Sequence, residues 1–135
     1  MFEVFDHTAD LGLRVRAADL ESLLVEAAQA LFSTIVPLEE VRPLEQIEVR
    51  VEGREPDYLL FDWLNELLYM FDTKHLLLSQ FDVHLDAAGL TAQCRGEPLD
   101  TTRHHLDHEV KAITYHRLRV EKNESGWLAE VIVDI

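Results

Sequence analysis

Alternating apolar and polar residues predict strands along much of this chain. Residues 11–16 place leucine or valine at every second position, with Gly12 and two arginines between them, which is the period of a strand that buries one face. Residues 47–52 alternate isoleucine and valine with charged residues in the same way. Each segment therefore predicts a strand with one face in the core and one in solvent.

The second half of the chain predicts two hairpins. Residues 76–85 and 90–95 flank a short Ala-Ala-Gly turn, and residues 110–120 and 127–133 flank an Asn-Glu-Ser-Gly turn. Between the hairpins, residues 96–109 have no apolar period and carry many polar groups. We interpret that segment as a functional or mobile loop.

Two other segments have the three-and-four spacing of helices with one buried stripe. The first extends from Asp19, a suitable N-cap, to about Val36, and Pro37 ends it. Pro56 fits the first turn of the second helix, whose apolar stripe continues to Phe71. The second helix is the more apolar of the two, so we expect it to be the central one.

The order of these elements predicts an α+β fold. With 135 residues, 47% of them hydrophobic, the chain has the length of a single domain, residues 1–135, with one core. Two helices on one face of a mainly antiparallel sheet is the simplest arrangement of these elements. Because strand-helix-strand occurs twice along the chain, we also expect a duplicated unit.

Charge narrows the choice of partners. Twelve basic against 26 acidic residues give a formal net charge of -14, which repels a phosphate backbone and argues against direct, strong nucleic-acid binding. The same charge suits a hard cation or a basic protein partner. The lone Cys94 is expected in the core of a cytoplasmic protein, and no signal peptide or membrane-spanning run of about 20 apolar residues is apparent.

The first candidate site combines the two ends of the chain. Asp10 precedes the first predicted strand, while Asp134 and Ile135, whose carboxylate adds a further negative oxygen, follow the last one. If those strands are neighbours, these hard oxygen donors suit calcium or magnesium. The alternative is that Asp10 caps a turn and the last residues fray. Against fraying, the apolar alternation continues to Val133.

The loop at residues 96–109 contains a second candidate. His104, His105 and His108 with Asp107 offer the imidazole and carboxylate ligands of a zinc site. However, no cysteine accompanies them, and adjacent histidines point in different directions. We favour a solvated loop.

Two further groups have both a functional and an ordinary interpretation. His7 with Asp6 or Asp10 has the composition of an acid/base pair, although a local turn explains the pattern equally well. Lys111 opens a predicted strand of a very acidic protein, where it either is simply solvated or lies against carboxylates or a nucleotide phosphate. We find no phosphate-binding glycine loop and no nucleophile motif, so we expect no autonomous enzyme.

Four segments of the chain form a recognisable set: His7-Thr8-Ala9-Asp10-Leu11-Gly12, Gly96-Glu97, Lys111-Ala112-Ile113-Thr114-Tyr115-His116 and Asp134-Ile135. With these segments the sequence resembles the archease family, the accessory proteins of the RtcB-type RNA-splicing ligase, and the resemblance covers the whole chain. The family usually has isoleucine where this chain has leucine in the first segment, a minor departure.

The resemblance implies a fold of two merged strand-helix-strand-strand units and a role beside the ligase. That ligase joins RNA ends with a 2′,3′-cyclic phosphate or 3′-phosphate to a 5′-hydroxyl, using GTP and manganese through a ligase-histidine-GMP intermediate. Archease-like proteins promote this guanylylation and multiple turnover in tRNA splicing and RNA repair, so GTP would be met only through the ligase.

The family's site residues carry over onto matching positions of this chain. Asp10, Asp134 and Ile135 match the ligands of a divalent ion, which we expect to be calcium, magnesium or manganese. Lys111, together with His7 and His104, is the candidate contact to the ligase or its nucleotide. Two alternatives stay open: a metal-dependent hydrolase with His7 as base, and a chaperone-like binding module with an exposed apolar patch.

Overall fold

The computed structural model describes residues 1–7 and 9–135; Thr8, which belongs to the first segment of the resemblance, lies outside the described residues. Its helices and strands are β1 (Phe2–His7), β2 (Asp10–Ala17), α1 (Leu20–Ile35), β3 (Glu45–Glu52), α2 (Pro56–Lys74), β4 (Leu76–Leu85), β5 (Gly89–Pro98), β6 (Ala112–Ile113), β7 (Arg119–Asn123) and β8 (Gly126–Asp134).

Both predicted helices are present, with the predicted end signals, but α1 rather than α2 is the more apolar and the more buried of the two. The Asp19 carboxylate accepts a hydrogen bond of 2.7 Å from the Ser22 N–H and so caps α1, and Pro56 occupies the first turn of α2. Helix α2 ends at Lys74, and the next residue, His75, caps it in a left-handed conformation with φ 52°. Neither these helices nor any other helix in the described ranges is long and apolar enough to cross a membrane.

The α+β class is confirmed, but the strands form two antiparallel sheets rather than one. One sheet has the order β1-β2-β8-β6, with β7 also paired to β8, and the other has the order β3-β5-β4. Helix α1 contacts β2 of the first sheet and β4 of the second, and α2 contacts β3 and β6. Both helices therefore pack against both sheets instead of covering one face of a single sheet. Alternation along a strand shows that one face is buried, but not which strands pair.

The two sheets reveal how the predicted duplication is arranged. In β3-α2-β4-β5 the last strand lies between the other two, and the same order holds for β2, α1, β7 and β8. Both are strand-helix-strand-strand units. They are nested, because the first unit lies in the chain between α1 and β7 of the second.

Three strand predictions need correction. Strand β1 was not predicted, because it lies at the edge of its sheet and has no fully buried side chain. Residues 110–120 do not form one strand: β6 covers two residues, and a turn with Arg117 at φ 54° precedes β7. Strand β5 continues to Pro98, so the predicted loop begins three residues later than the pattern indicated.

The buried side chains of both sheets and both helices form one hydrophobic cluster. Trp63 of α2 is fully buried, and its indole N–H donates a hydrogen bond of 2.9 Å to the Leu24 carbonyl of α1, which joins the two helices. Cys94 lies in this core as predicted, and burial raises the pKa of its thiol to about 12. Cys94 is therefore an inert core residue.

Gly96 permits a close approach of β5 to β4. A Cβ at this position would lie 1.7 Å from the Leu77 carbonyl oxygen, next to a bulge in β4 between Leu78 and Gln80. Gly12 is also crowded. A Cβ at that position would lie 2.1 Å from the ring of Phe5, a side chain of the edge strand β1. A backbone carbonyl within a sheet cannot move aside, whereas a side-chain ring can rotate.

We therefore predict that Gly96→Ala lowers the free energy of unfolding by about 2 kcal/mol or more, and Gly12→Ala by clearly less. Urea unfolding of the two variants beside the native protein measures both effects. Equal losses of unfolding free energy in the two variants would show that the β4 backbone adjusts as easily as the Phe5 ring.

Candidate functional site

The two ends of the chain meet at one rim of the five-stranded sheet, as expected from the sequence. Strand β2 pairs antiparallel with β8 in a register that sets Asp10 directly opposite Asp134. Across the β1–β2 hairpin, His7 lies opposite Asp10. On the other side of β8, Ala112 of β6 pairs with Asp134. We call Asp10, Asp134 and Ile135 the carboxylate rim.

The two aspartates belong to the outer face of the sheet because they alternate with buried neighbours, Leu11 in β2 and Val133 in β8. Ile135 is half-buried against the core, which holds the end of β8 in place. Among the described residues, neither the Asp10 nor the Asp134 carboxylate has a hydrogen-bond or ion-pair partner. Like charges directly opposite in an antiparallel pair repel one another, so a cation bound here would relieve that repulsion.

The donor chemistry of the carboxylate rim suits a hard divalent cation, but the side chains alone do not complete a site. Within residues 1–7 and 9–135, no group of three or more His, Cys, Asp or Glu side chains is arranged to hold a metal ion. Two carboxylates therefore need further oxygen donors, such as those of Ile135, water or a bound phosphate. This composition favours calcium, magnesium or manganese over zinc.

His7 lies beside the carboxylate rim with a neighbour that sequence reasoning did not single out. Its ring centroid is 5.6 Å from that of His116, the last residue of the third segment of the resemblance. The Nδ1 atom of His7 is buried without a hydrogen-bond partner in the part of the chain that the structure describes. A buried nitrogen without a partner is costly, so this atom is a local conflict beside the carboxylate rim.

Lys111 is tied to the carboxylate rim by its main chain rather than by its ammonium. Its N–H donates a hydrogen bond of 2.7 Å to the Asp134 carbonyl. The side chain is exposed and lines a shallow depression beside α2, together with Glu66, Tyr69 and Asp72. No ion pair joins it to a carboxylate of the described residues. Its ammonium therefore remains available to a partner.

His104 has a different environment from the one expected of a partner contact. Its side chain is fully buried; Nδ1 accepts a hydrogen bond of 2.9 Å from the Asp100 N–H, and Nε2 lies 3.1 Å from a Glu97 carboxylate oxygen. These partners favour the tautomer with the proton on Nε2. Because no side-chain surface is exposed, His104 holds the loop in this structure and has no atom with which to touch a ligase or a nucleotide.

The other residues of the proposed zinc cluster also have separate partners. His105 Nδ1 lies 2.8 Å from Glu40, and His108 Nε2 lies 3.7 Å from Asp107. The loop is further attached to the end of α1, where the Asp107 and His108 N–H groups donate to carbonyls of Ile35 and Thr34. The histidines thus have separate environments, and the segment is anchored at several points, with His104 buried, rather than being the solvated loop that we favoured.

Glu97 is the centre of a polar cluster beneath this loop. Its carboxylate accepts a hydrogen bond of 2.6 Å from the Arg42 N–H and also binds Arg103 and His104. Burial opposes its ionisation, but these three contacts outweigh burial and lower the pKa of the Glu97 carboxyl below its ordinary value. The Gly96-Glu97 segment therefore has a structural explanation, and it belongs to a different sheet from the carboxylate rim.

Comparison with known proteins gives matches over the whole chain. The sequence matches the archease protein family over residues 2–135. It is 41% identical to a protein archease of Methanopyrus kandleri, covering 99% of both chains. It is 39% identical to a protein archease of Pyrococcus abyssi, covering 99% of this chain and 98% of the other.

Two solved structures are also similar. The solution structure of protein 1598 from Methanobacterium thermoautotrophicum matches with a TM-score of 0.88 and 36% identity, over 99% of this chain and 98% of that one. The crystal structure of an archease from Thermotoga maritima, described as a possible chaperone, matches with a TM-score of 0.72 over 100% of this chain and 98% of that one. At 21% identity the second match shows the fold alone.

The Glu97 cluster predicts a specific acid dependence. Because the pKa of Glu97 is lowered in the folded state, its ionised form contributes stability above its ordinary value of 4.5, and that contribution is lost as the pH falls below it. Glu97→Gln should lower stability near neutral pH, by about 1–3 kcal/mol as for other buried hydrogen-bonded groups, and should reduce the further loss below pH 4.5. Urea unfolding of both proteins between neutral pH and acid measures the difference. If the free energy of unfolding falls equally with pH in both proteins, Glu97 is not the source of this acid dependence.

Proposed function

The chain belongs to the archease family, and on that premise we propose that it is the accessory protein of an RtcB-type RNA ligase. In this proposal it works in the cytoplasm, promotes guanylylation of the ligase by GTP, and supports multiple turnover in tRNA splicing or RNA repair. The chemistry remains that of the ligase, and this chain is not itself an enzyme.

The observation that carries the proposal is a convergence of sequence segments in space. Three of the four segments that carry the family resemblance meet at the carboxylate rim: those that begin at His7, Lys111 and Asp134. The fourth, Gly96-Glu97, belongs to the other sheet, where close packing and hydrogen bonding explain it. Because three segments that are distant in sequence meet at this rim, we expect it to be the surface that enters the partner's active site.

In the mechanism that we propose, Asp10, Asp134 and oxygen atoms of Ile135 hold a divalent cation, either calcium or magnesium or manganese. When bound, such a cation offsets the charge of phosphate groups and helps to orient them. Lys111 presents an exposed ammonium beside the rim, suited to a phosphate of the ligase-bound nucleotide or to an acidic group of the ligase. His7, which is half-buried and lies opposite Asp10, is the second candidate contact.

Charge supports the choice of partner. A formal net charge of -14 repels RNA but attracts an enzyme whose RNA-binding cleft is basic, and such attraction mainly speeds encounter. RNA contacts would then come from the ligase alone. Because the protein and RNA would compete for one cleft, we expect the complex to be transient and to weaken as salt rises.

The cation site is testable without the ligase. Without divalent ions, Asp10→Asn should raise the melting temperature slightly, because it removes one of two facing charges worth about 0.2–1 kcal/mol. With calcium or manganese at about a hundred times Kd, the native protein should gain about 2.7 kcal/mol and the variant much less. Thermal unfolding measures both, with Asp6→Asn as the control of equal charge. Equal gains in all three proteins would refute the site.

The ligase role is tested by multiple-turnover RNA joining with limiting ligase from the same host, GTP and manganese. The native protein should raise turnover and ligase guanylylation. Asp10→Ala should leave both at the rate without added protein while remaining folded, and Asp6→Ala should behave as the native protein. If the native protein changes neither turnover nor guanylylation, the proposal fails.

A chaperone-like binding module is the second candidate. The described residues include several large apolar side chains with half or more of their surface exposed: Leu44, Tyr58, Tyr69, Leu106 and Tyr115. The Thermotoga maritima archease is described as a possible chaperone. Suppression of aggregation of unrelated clients, without any effect on the ligase, would favour this function. Release of phosphate from nucleotides by the isolated protein would instead favour the hydrolase.

A further inference from the structure

The start of α2 and the segment after β6 form an exposed surface with an unusual composition. We call Asp57, Tyr58, Phe61, Asp62 and Tyr115 the aromatic patch. Tyr58 is 56% exposed and Tyr115 is 55% exposed. Exposed aromatic side chains that occur singly need no explanation, but a contiguous group of them marks an interaction surface.

The rings of the aromatic patch are held in place by one another. Tyr115 stacks on Phe61 with ring centroids 3.7 Å apart and an interplanar angle of 16°, while Tyr58 meets Tyr115 edge to face at 6.3 Å. Phe61 is partly buried and packs against the core. Because two tyrosine side chains are ordered before any partner arrives, little conformational entropy is lost on binding.

Two carboxylates border these rings. The pKa of the Tyr115 hydroxyl is raised, first by burial and then by the negative charges of Asp62, Tyr58 and Asp57. In the described part of the chain, neither Asp57 nor Asp62 has an ion-pair partner. Asp57 does accept a hydrogen bond of 3.0 Å from the Tyr58 N–H in the first turn of α2. The surface thus offers aromatic faces together with two carboxylates that no cationic side chain of the described residues pairs with.

We propose that the aromatic patch docks an arginine-bearing segment of a protein partner. A guanidinium group stacks on tyrosine faces and donates paired hydrogen bonds to carboxylates, which are the two kinds of group present here. Lysine makes the ionic contact but not the planar stack, so arginine is the better match. The two carboxylates and the formal net charge of -14 disfavour nucleic acid as the occupant. This inference concerns a second surface and does not depend on the ligase being the partner.

A binding experiment with matched peptides tests the proposal. The probes are fluorescent peptides of alternating glycine and arginine, or glycine and lysine, and the readout is anisotropy at physiological salt. The native protein should bind the arginine peptide more tightly than the lysine peptide. Tyr58→Leu combined with Tyr115→Leu should weaken binding of the arginine peptide about fivefold or more and should abolish the preference.

The matched control is Tyr69→Leu. Tyr69 is on the same helix, is 59% exposed, and lies about 16 Å along the helix axis from Tyr58. All three substitutions leave the net charge unchanged, so binding that depends only on the acidic surface would not respond to any of them. Tyr69→Leu should therefore bind as the native protein does.

Two further measurements keep the test decisive. If the double variant unfolds, Tyr58→Leu alone and Asp62→Asn replace it, and each should still weaken arginine-peptide binding. Equal affinity for the two peptides, or no loss in any patch variant, would overturn the proposal. Sedimentation tests whether a second copy of this chain occupies the aromatic patch instead. If the native protein is a dimer that dissociates on Tyr58→Leu, the patch is a dimer interface and the proposal is overturned.

Discussion

The antiparallel pairing of β2 with β8 is the contact on which the rest of the structure depends. It joins segments that are more than a hundred residues apart, and every residue from Asp10 to Ala17 has a partner between Trp127 and Asp134. A slip of one residue in either strand would turn its aspartate towards the core and its buried apolar residues towards solvent. Arg14 and Arg119 both pair with Glu130, which helps to hold β2, β7 and β8 in this register. The position of the carboxylate rim is therefore a consequence of strand register.

The nested arrangement explains how so distant a pair of strands is brought together. The inner unit, from β3 to β5, occupies the chain between α1 and β7 and buries its own helix against its own sheet. Helix α1 packs on that sheet and on the outer one, and Trp63 links it to α2. Because both helices contact both sheets, the two units share one core, and Ile135 of the carboxylate rim packs against it.

Polar groups in this protein fall into two kinds according to how well they are satisfied. The buried Glu97 carboxylate has partners in the Arg42 N–H, Arg103 and His104, as buried polar groups require, and these contacts fix the positions of Arg103 and His104. At the carboxylate rim and the aromatic patch, the carboxylates have no ion-pair partner among the described residues. Such local conflicts are tolerated where a partner supplies the missing group, which is why both surfaces carry the functional proposals.

The sequence alone determined the parts of this protein that depend on neighbours along the chain. The helices follow from apolar spacing, the cap at Asp19 and the proline at residue 56, and the α+β class follows from the order of elements. The pattern also predicted a strand beside each of Asp10 and Asp134, but their meeting was a hypothesis that depended on those two strands being neighbours, and the pairing of β2 with β8 decided it. Tertiary structure decided the rest: the separation into two sheets, the edge strand β1, the burial of His104 and the stacking of Tyr115 on Phe61. Each of these depends on contacts between residues distant in sequence, and a local pattern of apolar and polar residues contains no information about which distant partner a strand, a histidine or an aromatic ring will meet.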